Sequence, residues 1–233
     1  MKAFLLAAGL GTRLRPITDT TPKCLLRIGG APLLDIWLDA LARCGVDEVL
    51  VNTHHLAHLV SAHVANRIGP PVVHLVNESE LLGSAGTLRA NRDFVAGEKM
   101  FLAINADNLT DFDTRVLINA HLAADAVATL TLFRSPRPSA CGIVEVNNGV
   151  VVGYVEKPAD PPSDLANAGI YAFHPSVLDD ITGLAPKDIG YDLLPQLVDR
   201  ARAVTLDGYY FIDIGTPASL QQANEEWESR LVK

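Results

Sequence analysis

Residues 3–8 (AFLLAA) form a short uncharged apolar run that stops at Gly9-Leu10-Gly11. An apolar run this short, bounded by glycine, reads as a strand buried on both faces, and such strands need helices packed on either side of their sheet. The pattern that follows supplies them. Leu34, Trp37, Leu38 and Leu41 recur at helical spacing and Gly45 closes that helix. Residues 48–52 (EVLVN) read as a second strand, Leu56, Leu59, Val60, His63 and Val64 as a second helical stripe, and residues 72–76 as a third strand. Three strands and two helices alternating within 76 residues imply a parallel, doubly covered sheet with right-handed crossovers.

The turn after the first strand carries chemistry. Gly9 and Gly11 let the backbone turn tightly and approach a bulky anion. Thr12 offers a hydroxyl, Arg13 and Arg15 fixed positive charges, and Lys23 a compact ammonium. Arginine suits bidentate contact with phosphate oxygens and lysine a point contact on developing charge. The spacing is neither G-x-G-x-x-G nor G-x-x-x-x-G-K-[ST], so neither a dinucleotide fingerprint nor a P-loop is implied. Residues 77–87 (NESELLGSAGT) form a second glycine-containing loop before a helix. Residues 100–105 (MFLAIN) read as a buried strand whose carboxyl end carries Asp107. Open α/β sheets bind ligands at that end, and a carboxylate there is a hard ligand of the kind Mg²⁺ prefers.

From Ala126 the strands follow one another without helices. Residues 142–146 and 150–156 make a hairpin across Asn147-Asn148-Gly149, so this half of the sheet is expected to be antiparallel or mixed. Residues 188–203 have a helical period interrupted by Pro195. Asp113 reads as the cap of a helix holding Val116, Leu117 and His121, and Thr216-Pro217 as the entrance of a last helix running to about Leu231.

Hydrophobic residues make up 48% of the 233 and charged residues 20%, which supports a sizeable core. No apolar run is long enough to cross a bilayer and the N-terminus lacks a signal peptide's layout, so a cytoplasmic protein without membrane partners is expected. The net charge of −8 disfavours nucleic acid as a partner. Cys24, Cys44 and Cys141 lack metal-like spacing. His54 and His58 form an i, i+4 pair without a third ligand, and the histidines there read as a solvated helix start rather than a zinc site.

The string L-A-A-G-L-G-T-R-L-R-P followed by Pro22-Lys23 resembles the signature of the sugar-1-phosphate nucleotidyltransferases. The resemblance extends through the second glycine loop (with Leu81 and Ser84 in place of that family's proline and threonine), Asp107, Glu156-Lys157-Pro158, the stretch 167–171 (NAGIY) and Asp213-Ile214-Gly215-Thr216-Pro217. It implies a Rossmann-like doubly wound mixed sheet, with residues 1–233 as a single domain. No hexapeptide repeat occurs, so no β-helix extension is expected. The resemblance also implies Mg²⁺ on Asp107 and Asp213, with Arg13, Lys23 and Asp107 as the catalytic set. It assigns the nucleoside triphosphate to Leu6, Ala8, Gly9, Gly11, Thr12, Arg13, Glu78, Gly83 and Ser84. The sugar 1-phosphate falls to Asn108, Gly142, Glu156, Lys157 and Asn167. The expected reaction is nucleotidyl transfer, with GTP and mannose- or heptose-1-phosphate as the first pair. UTP with N-acetylmuramate 1-phosphate is the alternative. Two other classes stay open, a sugar-nucleotide-binding subunit without catalysis and a glycosyltransferase using Asp111-Phe112-Asp113. Whether the chain acts as monomer or homo-oligomer is open in the sequence.

Overall fold

A computed structural model describes residues 1–124 and 126–231. In chain order it begins with β1 (Lys2–Leu6), β2 (Arg27–Ile28), β3 (Ala31–Pro32), α1 (Leu33–Arg43), β4 (Glu48–Thr53), α2 (Ala57–Ala65), β5 (Val72–Asn77) and α3 (Ser84–Ala90). There follow β6 (Phe101–Asn105), β7 (Asn108–Thr110), α4 (Thr114–Ala124), β8 (Ala128–Arg134), β9 (Gly142–Asn147) and β10 (Val150–Glu156). The chain then forms β11 (Leu165–Phe173), β12 (Ala201–Thr205), β13 (Phe211–Asp213) and α5 (Pro217–Leu231).

Nine strands make one sheet in the order β5-β4-β1-β6-β11-β8-β12-β10-β9. The first four are parallel, as the spacing of the first 76 residues implies. Strand β11 runs antiparallel to both β6 and β8, and β9 and β10 form an antiparallel hairpin. The sheet is therefore mixed. Asn148 and Gly149 have φ of 48° and 77°, the left-handed pair that a two-residue primed turn requires. The expected helices over α1, α2, α4 and α5 are all present. The α1 helix ends where Val46 N–H bonds back to the Leu41 carbonyl at 3.1 Å past Gly45. Asp113 accepts from Arg115 N–H at 3.0 Å as the cap of α4, and Ser219 N–H reaches Thr216 Oγ1 at 3.2 Å at the entrance of α5.

Strand β1 shows why residues 3–6 had to be apolar throughout. Ala3 and Leu5 enter one core with Leu34, Leu38 and Trp37 of α1 and Trp227 of α5. Phe4 enters the other with Leu88 of α3, Phe101 and Phe173. The Phe4 ring meets Phe94 and Phe101 edge-on at 5.4 and 5.5 Å between centroids. Burial of one such ring contributes about 1.5–3 kcal/mol. Among the described residues no helix is long and apolar enough to cross a membrane.

Residues 188–203 depart from the helical expectation. Ile189–Leu193 is a π-helical turn, Leu194–Leu197 a 3₁₀ turn, and Ala201 opens β12, which inserts parallel to β8. Pro195 removes the amide that a continuous helix needs, and Ile189, Leu193, Leu194 and Leu197 are buried by sheet packing instead. The period was that of core positions, carried by irregular turns.

Cys24 is 2% exposed in the first core, and burial pushes its thiol from 9.0 up to about 12. Between those values the unfolded chain gives up the proton while the folded chain keeps it. Stability therefore falls as pH rises above about 9, by up to about 1.4 kcal/mol per pH unit from this group. Under reducing conditions, urea titrations at pH 8.5–10.5 are expected to show a shallower loss in Cys24→Ala than in the parent. Equal slopes would show that the thiol is not held protonated.

Candidate active site

The glycine loop leaves β1 and turns through Gly11, whose φ of 62° favours glycine. A Cβ at Gly11 would stand 2.8 Å from Thr18 Cγ2. Thr18, 1% exposed, donates its hydroxyl to the Gly11 carbonyl at 2.8 Å. The Thr18 carbonyl in turn accepts from His55 Nε2 at 2.8 Å. His54 Nδ1 likewise donates to the Glu78 carbonyl at 2.7 Å. These two histidines are braces for the two glycine loops, a correction to the solvated helix start. His58, the other half of the i, i+4 pair, is exposed.

The loop delivers its cations to two carboxylates. Strand β13 pairs antiparallel with β7 so that Asp213 lies opposite Asn108, and Ile214 N–H bonds the Asp107 carbonyl at 3.1 Å. This small sheet fixes Asp107 and Asp213 beside each other although 106 positions separate them. Lys23 Nζ is 2.7 Å from Asp107 Oδ2 and 3.5 Å from Asp213 Oδ1. Its side chain is 10% exposed, so two carboxylates offset the cost of a nearly buried ammonium. Arg13 Nη2 reaches Asp213 Oδ2 at 3.8 Å from a far more exposed position.

Around this centre opens a cleft of about 550 Å³ at the carboxyl ends of β1, β4 and β6. One wall holds Leu6, Ala8, Gly9, Glu78, Gly83 and Ser84, and the opposite wall Glu156, Lys157 and Asn167, with Lys23 and Asp107 between. Tyr154 OH donates to Glu156 Oε2, and Lys157 Nζ lies 3.5 Å from Glu156 Oε1. Asn167 Nδ2 donates to Tyr171 OH at 2.7 Å. Burial above all pushes both phenols well above their ordinary range, so Tyr154 and Tyr171 act as neutral hydrogen-bonding groups. Cys24 also lines the cleft, where burial pushes its thiol upward and disfavours the thiolate.

Several expected residues stand outside the lining. Gly11, Thr12 and Arg13 belong to the loop at its edge, and Asp213 joins through its ion pairs. Asn108 is 5% exposed and donates to the Ala168 carbonyl at 2.6 Å, which makes it a tie between β7 and β11. At Gly142 the space of a Cβ is filled by Tyr154 OH and Glu156 Oε2, so this glycine seats Glu156. The Asp111-Phe112-Asp113 candidate fails, because Asp111 accepts from Tyr210 N–H at 2.6 Å and pairs with Arg230, while Asp113 pairs with Arg115.

Asn52, Asp188 and Tyr191 of the cleft escaped the sequence reading, as did Tyr154, which donates to Glu156. Tyr154 was legible as the same-face neighbour of Glu156 two positions along β10. Asp188 accepts from Gly190 and Tyr191 N–H at 2.8 and 3.2 Å through Oδ1 and from Ser84 Oγ at 2.8 Å through Oδ2. It fastens the two walls together, a contact between segments 104 positions apart that no local pattern announces.

The sheet order and this charge centre define the architecture of the nucleotide-diphospho-sugar transferases. The chain belongs to the nucleotidyl transferase family, whose model matches residues 2–230. It is 34% identical over 252 residues to UTP–glucose-1-phosphate uridylyltransferase of Synechocystis sp., covering 100% of this chain and 65% of that protein. It is 33% identical over 223 residues to the mannose-1-phosphate guanylyltransferase catalytic subunit beta of Drosophila melanogaster, covering 93% and 60%. The chain thus spans 60–65% of the length of these curated relatives. The crystal structure of HddC from Yersinia pseudotuberculosis complexed with GMP-PN superposes with a TM-score of 0.80 at 23% identity, over 97% of this chain and 99% of that one. That last likeness bears on fold alone.

Thr18→Val keeps the buried shape and deletes the hydroxyl that serves Gly11. The Gly11 carbonyl keeps the Leu14 N–H at 2.9 Å, so the expected loss is that of one hydrogen bond, about 0.5–1.5 kcal/mol of unfolding free energy. A denaturation midpoint unchanged in Thr18→Val would show that the glycine loop does not need this brace.

Proposed function

We propose that this chain transfers a nucleoside monophosphate from a nucleoside triphosphate to a sugar 1-phosphate, releasing pyrophosphate. The observation that carries the reading is Lys23 held between Asp107 and Asp213 at the junction of the two cleft walls. In the reaction an oxygen of the sugar phosphate attacks the α-phosphorus and a new P–O bond forms. The bond to the β-phosphate oxygen breaks, and pyrophosphate leaves with the electron pair. The nucleophile is already an anion, so no general base is required, and positioning with charge neutralisation carries the rate.

Arg13 holds the triphosphate, and Lys23 follows the charge on the transferred phosphoryl group. Lys157 meets the sugar phosphate and Glu156 the sugar hydroxyls. The family is generally divalent-metal dependent, and the donor set here fits Mg²⁺. Two hard carboxylates from separate segments suit an ion that keeps waters and takes phosphate oxygens as its remaining ligands. Bound by Asp107 and Asp213, it would add positive charge against the phosphates. A full ion-paired set of Arg13, Lys23, Asp107 and Asp213 favours catalysis over a binding-only subunit.

For the substrates we assign GTP with a manno-configured sugar 1-phosphate. Mannose-1-phosphate guanylyltransferases stand among the relatives, beside uridylyl- and thymidylyltransferases. The sugar wall supports a neutral sugar. It offers the carboxylates of Glu156 and Asp188 against the one ammonium of Lys157, which suits hydroxyl donors. The extra carboxylate of N-acetylmuramate 1-phosphate would face those two carboxylates, a repulsive arrangement.

A matrix of GTP, UTP, dTTP, CTP and ATP against several sugar 1-phosphates, read by pyrophosphate release, is expected to peak at GTP with mannose 1-phosphate. A peak at UTP with N-acetylmuramate 1-phosphate would overturn the substrate assignment, and release with no pair would overturn the reaction. Lys23→Ala is expected to lower kcat about 10²–10³-fold with a much smaller change in nucleotide KM. Arg13→Lys should raise nucleotide KM about tenfold, since lysine lacks the bidentate fork. Unchanged kinetics in both variants would sink the assigned roles.

A further inference from the structure

Asn52 lies near the end of β4, in register with Leu6 of β1, and is 4% exposed on the cleft wall. Its Oδ1 accepts the Ala7 backbone N–H at 2.7 Å. Because that N–H can only donate, the amide has one acceptable orientation, with Nδ2 turned the other way. Nδ2 donates to Glu78 Oε1 at 2.8 Å and to Thr87 Oγ1 at 3.0 Å. Thr87 donates its hydroxyl to the same Glu78 oxygen at 2.5 Å, and Leu82 N–H reaches Glu78 Oε2 at 3.0 Å. One amide thus joins the strand entering the first glycine loop, the start of the second loop and helix α3.

The Glu78 carboxylate is 5% exposed and is held by neutral donors alone. Oε1 takes two donors and Oε2 one, which leaves Oε2 a free lone pair. Glu78 lines the cleft, so its carboxylate is within reach of a ligand bound there. A base read along its Watson–Crick edge pairs with such an acceptor where it carries a ring N–H. Guanine carries one at N1 and uracil and thymine at N3. Adenine N1 and cytosine N3 present lone pairs instead.

We infer that Asn52 locks Glu78 as an acceptor toward the nucleobase and so selects bases with a ring N–H. The inference rests on reading the cleft as a nucleotide site. Asn52 acts through Glu78 and is a positioning residue.

Asn52→Asp keeps the size and the contact to Ala7, but sets a second carboxylate against Glu78. Two carboxylates that close share a proton, which gives Glu78 partial donor character. The double variant Asn52→Asp/Glu78→Gln restores a donor–acceptor contact with the roles exchanged. Calorimetric Kd values for GTP, UTP, CTP and ATP, with Mg²⁺ and without sugar phosphate, are compared across the three proteins. The parent is expected to bind GTP or UTP at least about tenfold more tightly than CTP or ATP. Asn52→Asp should narrow that ratio below about threefold, and the double variant should return it close to the parent's. Equal weakening of all four nucleotides by Asn52→Asp, or a ratio the double variant fails to recover, would show a merely structural role. If the parent binds nucleotides but transfers to no sugar phosphate, the reaction falls while these ratios still decide the role of Asn52. If it binds none, both readings fall.

Discussion

The ammonium of Lys23 sits between two carboxylates that the sequence keeps far apart. A lysine side chain 10% exposed is tolerable only beside opposite charge, and Asp107 supplies it at 2.7 Å with Asp213 at 3.5 Å. That requirement reaches through the fold. Lys23 must return from the glycine loop, Asp107 must end the central strand β6, and Asp213 must be carried back by β13 onto β7. Each wall of the cleft is then anchored to a strand end beside this centre.

The two walls are built differently. The nucleotide wall consists of loops held by polar contacts from buried residues: Thr18 under Gly11, the histidines under the loop carbonyls, and Asn52 with Thr87 around Glu78. The sugar wall comes from the hairpin β9–β10 and strand β11, and its side chains are tied to one another, Tyr154 to Glu156 and Tyr171 to Asn167. Asp188 and Ser84 fasten one wall to the other. Buried polar networks of this kind are costly when half satisfied and rigid when complete. A rigid cleft suits a reaction whose rate comes from alignment and fixed charge.

Much of this was legible in the residues. The uniform apolarity of residues 3–8 announced a sheet covered on both faces, and Asn148-Gly149 announced the hairpin that carries Glu156 and Lys157. The pairing of Arg13 and Lys23 with Asp107 and Asp213 was legible only through the family resemblance, since a lone aspartate after a strand is ambiguous. Residues 188–203 misled because buried positions in π and 3₁₀ turns imitate a helical period. Asn52 and Asp188 were invisible because their meaning lies in partners 26 to 104 positions away, and no spacing rule spans such distances.

The shared charge centre is tested most directly by the Mg²⁺ dependence of pyrophosphate release in Asp213→Asn. The side chain keeps its size, so an unfolding midpoint close to the parent's is expected. Turnover should fall about 100-fold or more, with half-saturation shifted to higher Mg²⁺, because a neutral amide is a poorer ligand for a hard cation and a poorer partner for Lys23. Near-parental turnover at low Mg²⁺ in Asp213→Asn would contradict the account.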